Sequence, residues 1–230
     1  MATHRSERSQ RFALPLSRRR LLLTGVSLAA LGVALSVPFE SARAQIFVTN
    51  PNSGTIGEYT LSGAVVNAAL VTGLGYPLGV AISGSNIFVA NFANGTIGEY
   101  TTSGAVVNAA LVTGLGSPAG VAVSGLNLFV APYISGGAIG AYTTSGAALN
   151  AALVTGLHSP FGIAVSGANL FVTNIASGTI GEYTTSGAVV NAALVTGLRG
   201  PAGIAISGSN IFVANNYGGS IGEYTPAVPW

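Results

Sequence analysis

An all-β fold, a propeller of four-stranded antiparallel blades, is predicted for this 230-residue chain by three observations. A repeat of 41–42 residues runs along it; short apolar runs alternate with Gly, Ser, Asn and Pro; and helical periodicity is absent beyond an N-terminal leader. The motif [IL]-F-V begins at Ile46, Ile87, Leu128, Leu170 and Ile211, giving steps of 41, 41, 42 and 41 residues, the spacing of propeller blades. Thr96–Leu115 and Thr179–Leu198 are identical, and Thr55–Leu74 differs from both only at Leu61.

The first element is the leader, residues 1–44. Seven of the eight basic residues precede residue 44, an apolar run covers Leu21–Val37, and Ala42-Arg43-Ala44 offers small residues for signal-peptidase cleavage after Ala44. Ser17-Arg18-Arg19-Arg20-Leu21-Leu22 resembles the twin-arginine export motif, with an ordinary secretory signal as the alternative. Either route places the protein outside the cytoplasm, secreted or periplasmic in a bacterium, with no membrane span in the mature form.

The repeat region, residues 45–230, follows. In the unit opening at Pro77, four strands are expected at Gly79–Ser83, Ile87–Asn91, Ile97–Thr101 and Ala109–Leu115. The first has a continuous apolar centre, Val80-Ala81-Ile82, as a strand covered on both faces should, and it is assigned to the innermost position, with the others following outward. Five units carry the second and third strands, but only four carry the first and fourth. Five blades, the first lacking its inner strand and the last its outer one, is the preferred count. A four-bladed ring closed by the first outer strand, an open arc that oligomerises through its ends, and a two-turn β-solenoid are the alternatives.

Composition excludes whole classes of function. Charged residues make up 6% of the chain, against roughly 25% in average soluble proteins. There is no Lys, Asp or Cys, so disulfides, thiolate metal sites and Cys nucleophiles are out. Beyond the leader one Arg stands against four Glu, a formal −3, which leaves no basic stripe for nucleic acid.

The cycle P-x-G-[VI]-A-[VI]-S-G-x-N-[IL]-F-V-[AT]-N followed by x-G-T-I-G-E-Y resembles the NHL and YVTN type of bacterial propeller repeat over residues 46–225. The resemblance implies the fold; its members include streptogramin lyases, gluconolactonase-like hydrolases and exported proteins of diverse role. Lactonase-like members hold a divalent metal through acidic and amide side chains at the central channel. Here Glu58, Glu99, Glu182 and Glu223 all fall on the third strand, roughly 10 Å beyond the innermost at ~4.8 Å per strand, too far out to share an ion. Lyases of the group depend on His and Glu in the channel; past the leader this chain has one His, His158. No cofactor or metal is expected.

Comparing the units with one another locates a candidate surface. Turns between first and second strands, and between third and fourth, are nearly constant; the other two loop classes vary. In an up-and-down blade both variable classes emerge on one face. That face carries the only Arg and His beyond the leader and the off-pattern aromatics, making Tyr76, Phe92, Tyr133, His158, Phe161, Arg199 and Tyr217 the candidate ligand-binding residues. Rings beside a few polar groups suit a polysaccharide or a surface protein. The expected function is a non-catalytic binding or structural module, with a lyase or lactonase-type hydrolase using His158 and Arg199 at the channel mouth as the alternative. Asn50, Asn91, Asn174 and Asn215, which end the second strands, are read as satisfying their own turns.

Overall fold

A computed structural model describes residues 44–225. The leader and its export motif lie outside the described residues. Eighteen strands form five antiparallel sheets, one for each unit of the repeat. Blade 1 comprises β1 (Gln45–Asn50), β2 (Thr55–Thr60) and β3 (Val65–Val71). Blade 2 comprises β4 (Pro77–Ser83), β5 (Asn86–Asn91), β6 (Thr96–Thr101) and β7 (Val106–Val112). Blade 3 holds β8 (Pro118–Ser124), β9 (Asn127–Pro132), β10 (Ile139–Thr143) and β11 (Ala148–Val154). Blade 4 holds β12 (Pro160–Ser166), β13 (Asn169–Asn174), β14 (Thr179–Thr184) and β15 (Val189–Val195). Blade 5 has β16 (Pro201–Ser207), β17 (Asn210–Asn215) and β18 (Ser220–Tyr224).

Strands pair in chain order within each blade, so the first blade lacks an inner strand and the last an outer one among the described residues. β3 pairs with β2 and does not complete blade 5, which removes the four-bladed ring; the antiparallel pairing of consecutive strands removes the solenoid.

The inner strands β4, β8, β12 and β16 stand beside one another around a channel of about 270 Å³. The glycine of the P-x-G motif makes that approach possible. A Cβ on Gly79, Gly120 or Gly162 would collide with the carbonyl of Ala119, Phe161 or Ala202 on the next inner strand.

Between blades the packing repeats. The face of blade 2 carrying Phe88, Ala90 and Ile97 meets the face of blade 3 carrying Leu128, Val130 and Tyr142. Blades 3 and 4 repeat it with Phe129, Ala131 and Ile139 against Leu170, Val172 and Tyr183. Alternation along each strand sends neighbours to opposite joints, which is why a sheet covered on both faces reads as an unbroken apolar run. Phe88, Phe129 and Phe171 are fully buried, each contributing about 1.5–3 kcal/mol relative to exposure.

The outer strand begins and ends earlier than expected, at Val106–Val112 and not Ala109–Leu115. The turn closes at once through Thr101 N–H to the Ala105 carbonyl, 2.8 Å, so the Val-Val-Asn read as turn is strand. A bulge then lets Ile97 face Val112 while Glu99 faces Asn108. Valines that look like strand formers sit exposed on the rim because β7 and its equivalents are edge strands.

Candidate functional site

Both variable loop classes lie on one face and are stitched together by their backbones. Phe92 N–H donates to the Tyr76 carbonyl (3.3 Å), Tyr133 to Ser117 (2.9 Å), Ile175 to Ser159 (3.1 Å) and Asn216 to Gly200 (2.9 Å). Each accepting residue precedes a proline, and each adopts a left-handed backbone: φ is 54° at Tyr76, 48° at Ser117, 55° at Ser159 and 66° at Gly200. Only the last is a residue for which that conformation is free of cost; the other three each carry roughly 1–2 kcal/mol of strain.

An open groove of about 480 Å³ crosses this face between blades 3, 4 and 5, and it gathers Tyr133, Arg199 and Tyr217 from three separate loops. Tyr133 and Tyr217 are exposed, as is Arg199. Tyr217 N–H donates to the Arg199 carbonyl (3.1 Å), and the Tyr217 ring lies over Gly200 where a side chain would otherwise stand. Ser159, Ile175, Ser177 and Leu198 complete the wall. Ile175 escaped the sequence analysis because an aliphatic residue carries no chemical signal, although it opens a loop of the variable class.

The remaining candidates fall elsewhere. Tyr76 and Phe92 pair with each other on blade 2, ring centroids 6.0 Å apart. Phe161 lines the channel and meets Tyr133 edge-on at 5.4 Å, so it supports one wall of the groove from behind. His158 is exposed and lines neither the groove nor the channel; its N–H donates to Asn174 Oδ1 (3.3 Å), and its backbone bridges to Ser135 of blade 3. The channel wall is Leu78, Val80, Val121, Phe161, Ile163 and Ile204 with Ala119 and four glycines, and holds no titratable side chain.

The glutamates are structural partners. Glu99, Glu182 and Glu223 accept from Asn86, Asn169 and Asn210 Nδ2, each at 2.7 Å, and Glu58 from Gln45 Nε2. Among the described residues no three of His, Cys, Asp and Glu could hold a metal ion. Three of the four asparagines ending the second strands donate to the threonine opening the third: Asn50 Nδ2 to Thr55 Oγ1 (3.3 Å), Asn91 to Thr96 (3.4 Å) and Asn174 to Thr179 (3.5 Å). In blade 3 Pro132 replaces the Asn and Ala138 replaces its Thr, so the pair is lost together. Burial pushes the pKa of Tyr100, Tyr142 and Tyr183, which sit in the joints between blades, above the usual phenol value; at Tyr100 a hydrogen bond with Asn91 opposes the shift.

Against known proteins, the model of the virginiamycin B lyase family matches residues 31–223. The chain belongs to the virginiamycin B lyase family. Virginiamycin B lyase from Staphylococcus aureus is 25% identical, with a TM-score of 0.60, over 79% of this chain and 62% of that one. A catalytically inactive histidine-to-alanine variant of that lyase, crystallised with quinupristin, is similar at 24% identity and a TM-score of 0.57. This member of the lyase family therefore spans less than two thirds of those lyase chains. A nidogen–laminin complex shares the fold at 18% identity, with a TM-score of 0.70 over 81% of this chain and 73% of that one. Among curated proteins none matches the chain.

Proposed function

We propose that this member of the lyase family is an exported binding module that holds a saccharide chain on its loop face, in the groove of Tyr133, Arg199 and Tyr217. The observation that carries the reading is the convergence of two exposed tyrosines and the one mature arginine on a single groove, on loops that differ from blade to blade while the scaffold does not. Phenol rings offer flat apolar faces to the C–H side of a sugar ring, and their hydroxyls pair with its polar rim. Arg199 adds a planar fork of donors suited to a uronate carboxylate.

The test is retention of the purified protein on immobilised acidic and neutral polysaccharides, with Tyr217→Ala and Arg199→Gln alongside. Binding that falls about tenfold in Tyr217→Ala, equivalent to ~1.4 kcal/mol, supports the reading. Retention on no glycan, or both variants retained as well as the parent, overturns it, and capture by a surface protein through the same residues would replace the saccharide.

Family membership favours a second reading, lyase action on a compound such as the quinupristin crystallised with the staphylococcal variant. Its weakness is the channel, whose lining offers no acid or base. Incubation with quinupristin, with His158→Ala as control, decides it: turnover that disappears in the variant makes the protein an enzyme.

A further inference from the structure

We propose that the two end blades join copies of this chain head to tail, the free face of blade 5 in one copy seating on the free face of blade 1 in the next. The two faces are the two halves of one joint. Within the chain the half supplied by the earlier blade carries an isoleucine of the third strand, and Ile56, Ile97, Ile139 and Ile180 are all 0% exposed. Their equivalent in blade 5, Ile221, is 77% exposed, and Phe212 and Ala214 beside it are uncovered to lesser and greater degree.

The half supplied by the later blade carries the [IL]-x-V pair of the second strand. Ile87 and Val89, Leu170 and Val172, and Ile211 and Val213 are each 0% exposed. In blade 1 the same positions, Ile46 and Val48, are 39% and 40% exposed, with Tyr59 half-buried opposite Ile46.

The free half on blade 5 also keeps the polar geometry of a filled joint. Asn210 Nδ2 holds Glu223 at 2.7 Å, the distance at which Asn86 holds buried Glu99 and Asn169 holds buried Glu182. A joint that the chain builds four times between its own blades is thus presented once more, with its halves on opposite ends. Exposed apolar patches of this kind mark association surfaces. The contact is heterologous, so copies join head to tail and not as a symmetric pair. Among the described residues each half lacks one strand, which makes the contact weaker than an internal joint and dependent on concentration.

Sedimentation velocity over a concentration series tests this, and it is independent of any ligand. The purified protein should grow in mass stepwise with concentration. Ile221→Arg and Val48→Arg, each at an exposed position, should separately be monomers with unchanged circular dichroism. Mixed in equal amounts they should give a species of twice the mass and nothing larger, because each retains the half that the other has lost. Ile46→Arg replaces Val48→Arg should the latter fold poorly. A wild-type protein that stays monomeric, with its faces covered from within the chain, overturns the proposal. So does a single variant that still self-associates, or a mixture that stays monomeric.

Discussion

Tyr133 and Phe161 meet edge to face, 5.4 Å between ring centroids at 79°, across the joint between blades 3 and 4. One ring faces the groove and the other the channel, so the contact ties the two cavities of the loop face together. Such a pair contributes ~0.5–1.5 kcal/mol beyond its buried area. Phe161→Ala is therefore expected to lower stability by at least that amount and to weaken binding in the groove it does not touch. Tyr217→Ala, at a ring 65% exposed, should leave stability unchanged and affect binding alone. Urea titrations beside the retention assay separate the two effects.

Thr173 binds blade 4 to blade 5. Its hydroxyl accepts from Gly162 N–H and donates to the Ala202 carbonyl, both at 2.8 Å, in a buried position. Thr173→Val keeps the shape and strands both partners, for an expected loss of about 1–3 kcal/mol. Blades 2 and 3 have Ala90 and Ala131 in this place, so Ala90→Ser should cost nothing comparable. Chemical denaturation midpoints give the comparison.

Gly200 has φ +66°, and the ring of Tyr217 occupies the space a Cβ would take. Gly200→Ala should therefore push the Tyr217 ring off its seat and lower groove binding, with a backbone cost of ~1–2 kcal/mol. The converse change at an equivalent position, Ser117→Gly at φ +48°, should be neutral or stabilising by up to ~1 kcal/mol, since relief of strain offsets the added freedom of the unfolded chain.

The rim strands are uncharged and apolar, which invites edge-to-edge pairing. Each blocks itself: Asn67, Asn108, Asn150 and Asn191 accept through Oδ1 from the N–H two residues on, at 3.0–3.1 Å, within the bulged segment. Replacing all four by Val should free those donors and promote aggregation at concentrations where the parent stays clear. Light scattering at a fixed concentration reads the outcome.

Tyr100, Tyr142 and Tyr183 resist ionisation in the folded state because they are buried. A raised folded pKa means that the folded protein holds these protons more tightly than the unfolded chain. Their contribution is complete below the ordinary value of 10.0 and is lost as pH climbs through the raised ones. The tyrosinate absorbance contributed by these three of the eight tyrosines should thus lag the ordinary titration and rise together with loss of the β-sheet circular dichroism signal. Titration of Tyr100, Tyr142 and Tyr183 at the ordinary value with the fold intact would contradict the joint placement of these rings.

The blade count, the order of strands and the face that collects the variable loops are all legible in the residues. A period of 41–42, two-residue alternation and turn chemistry are local properties, and the strands of each blade pair in chain order. The edges of the outer strands are not, because a bulge shifts the register by contacts that no local rule encodes. The inner-strand glycines look like flexibility in one dimension and prove to be the sites where a neighbouring carbonyl leaves no room. Among the seven residues chosen for their oddness, composition could not say that Tyr133, Arg199 and Tyr217 share a groove while Tyr76, Phe92 and His158 stand apart. Which loops become neighbours depends on the curvature that the joints between blades impose, and that is set by packing between distant segments. The same packing decides that Ile221 is bare while Ile180, one repeat earlier in an almost identical unit, is fully covered. Identical local sequence meets a different neighbour, and only the tertiary structure supplies the neighbour.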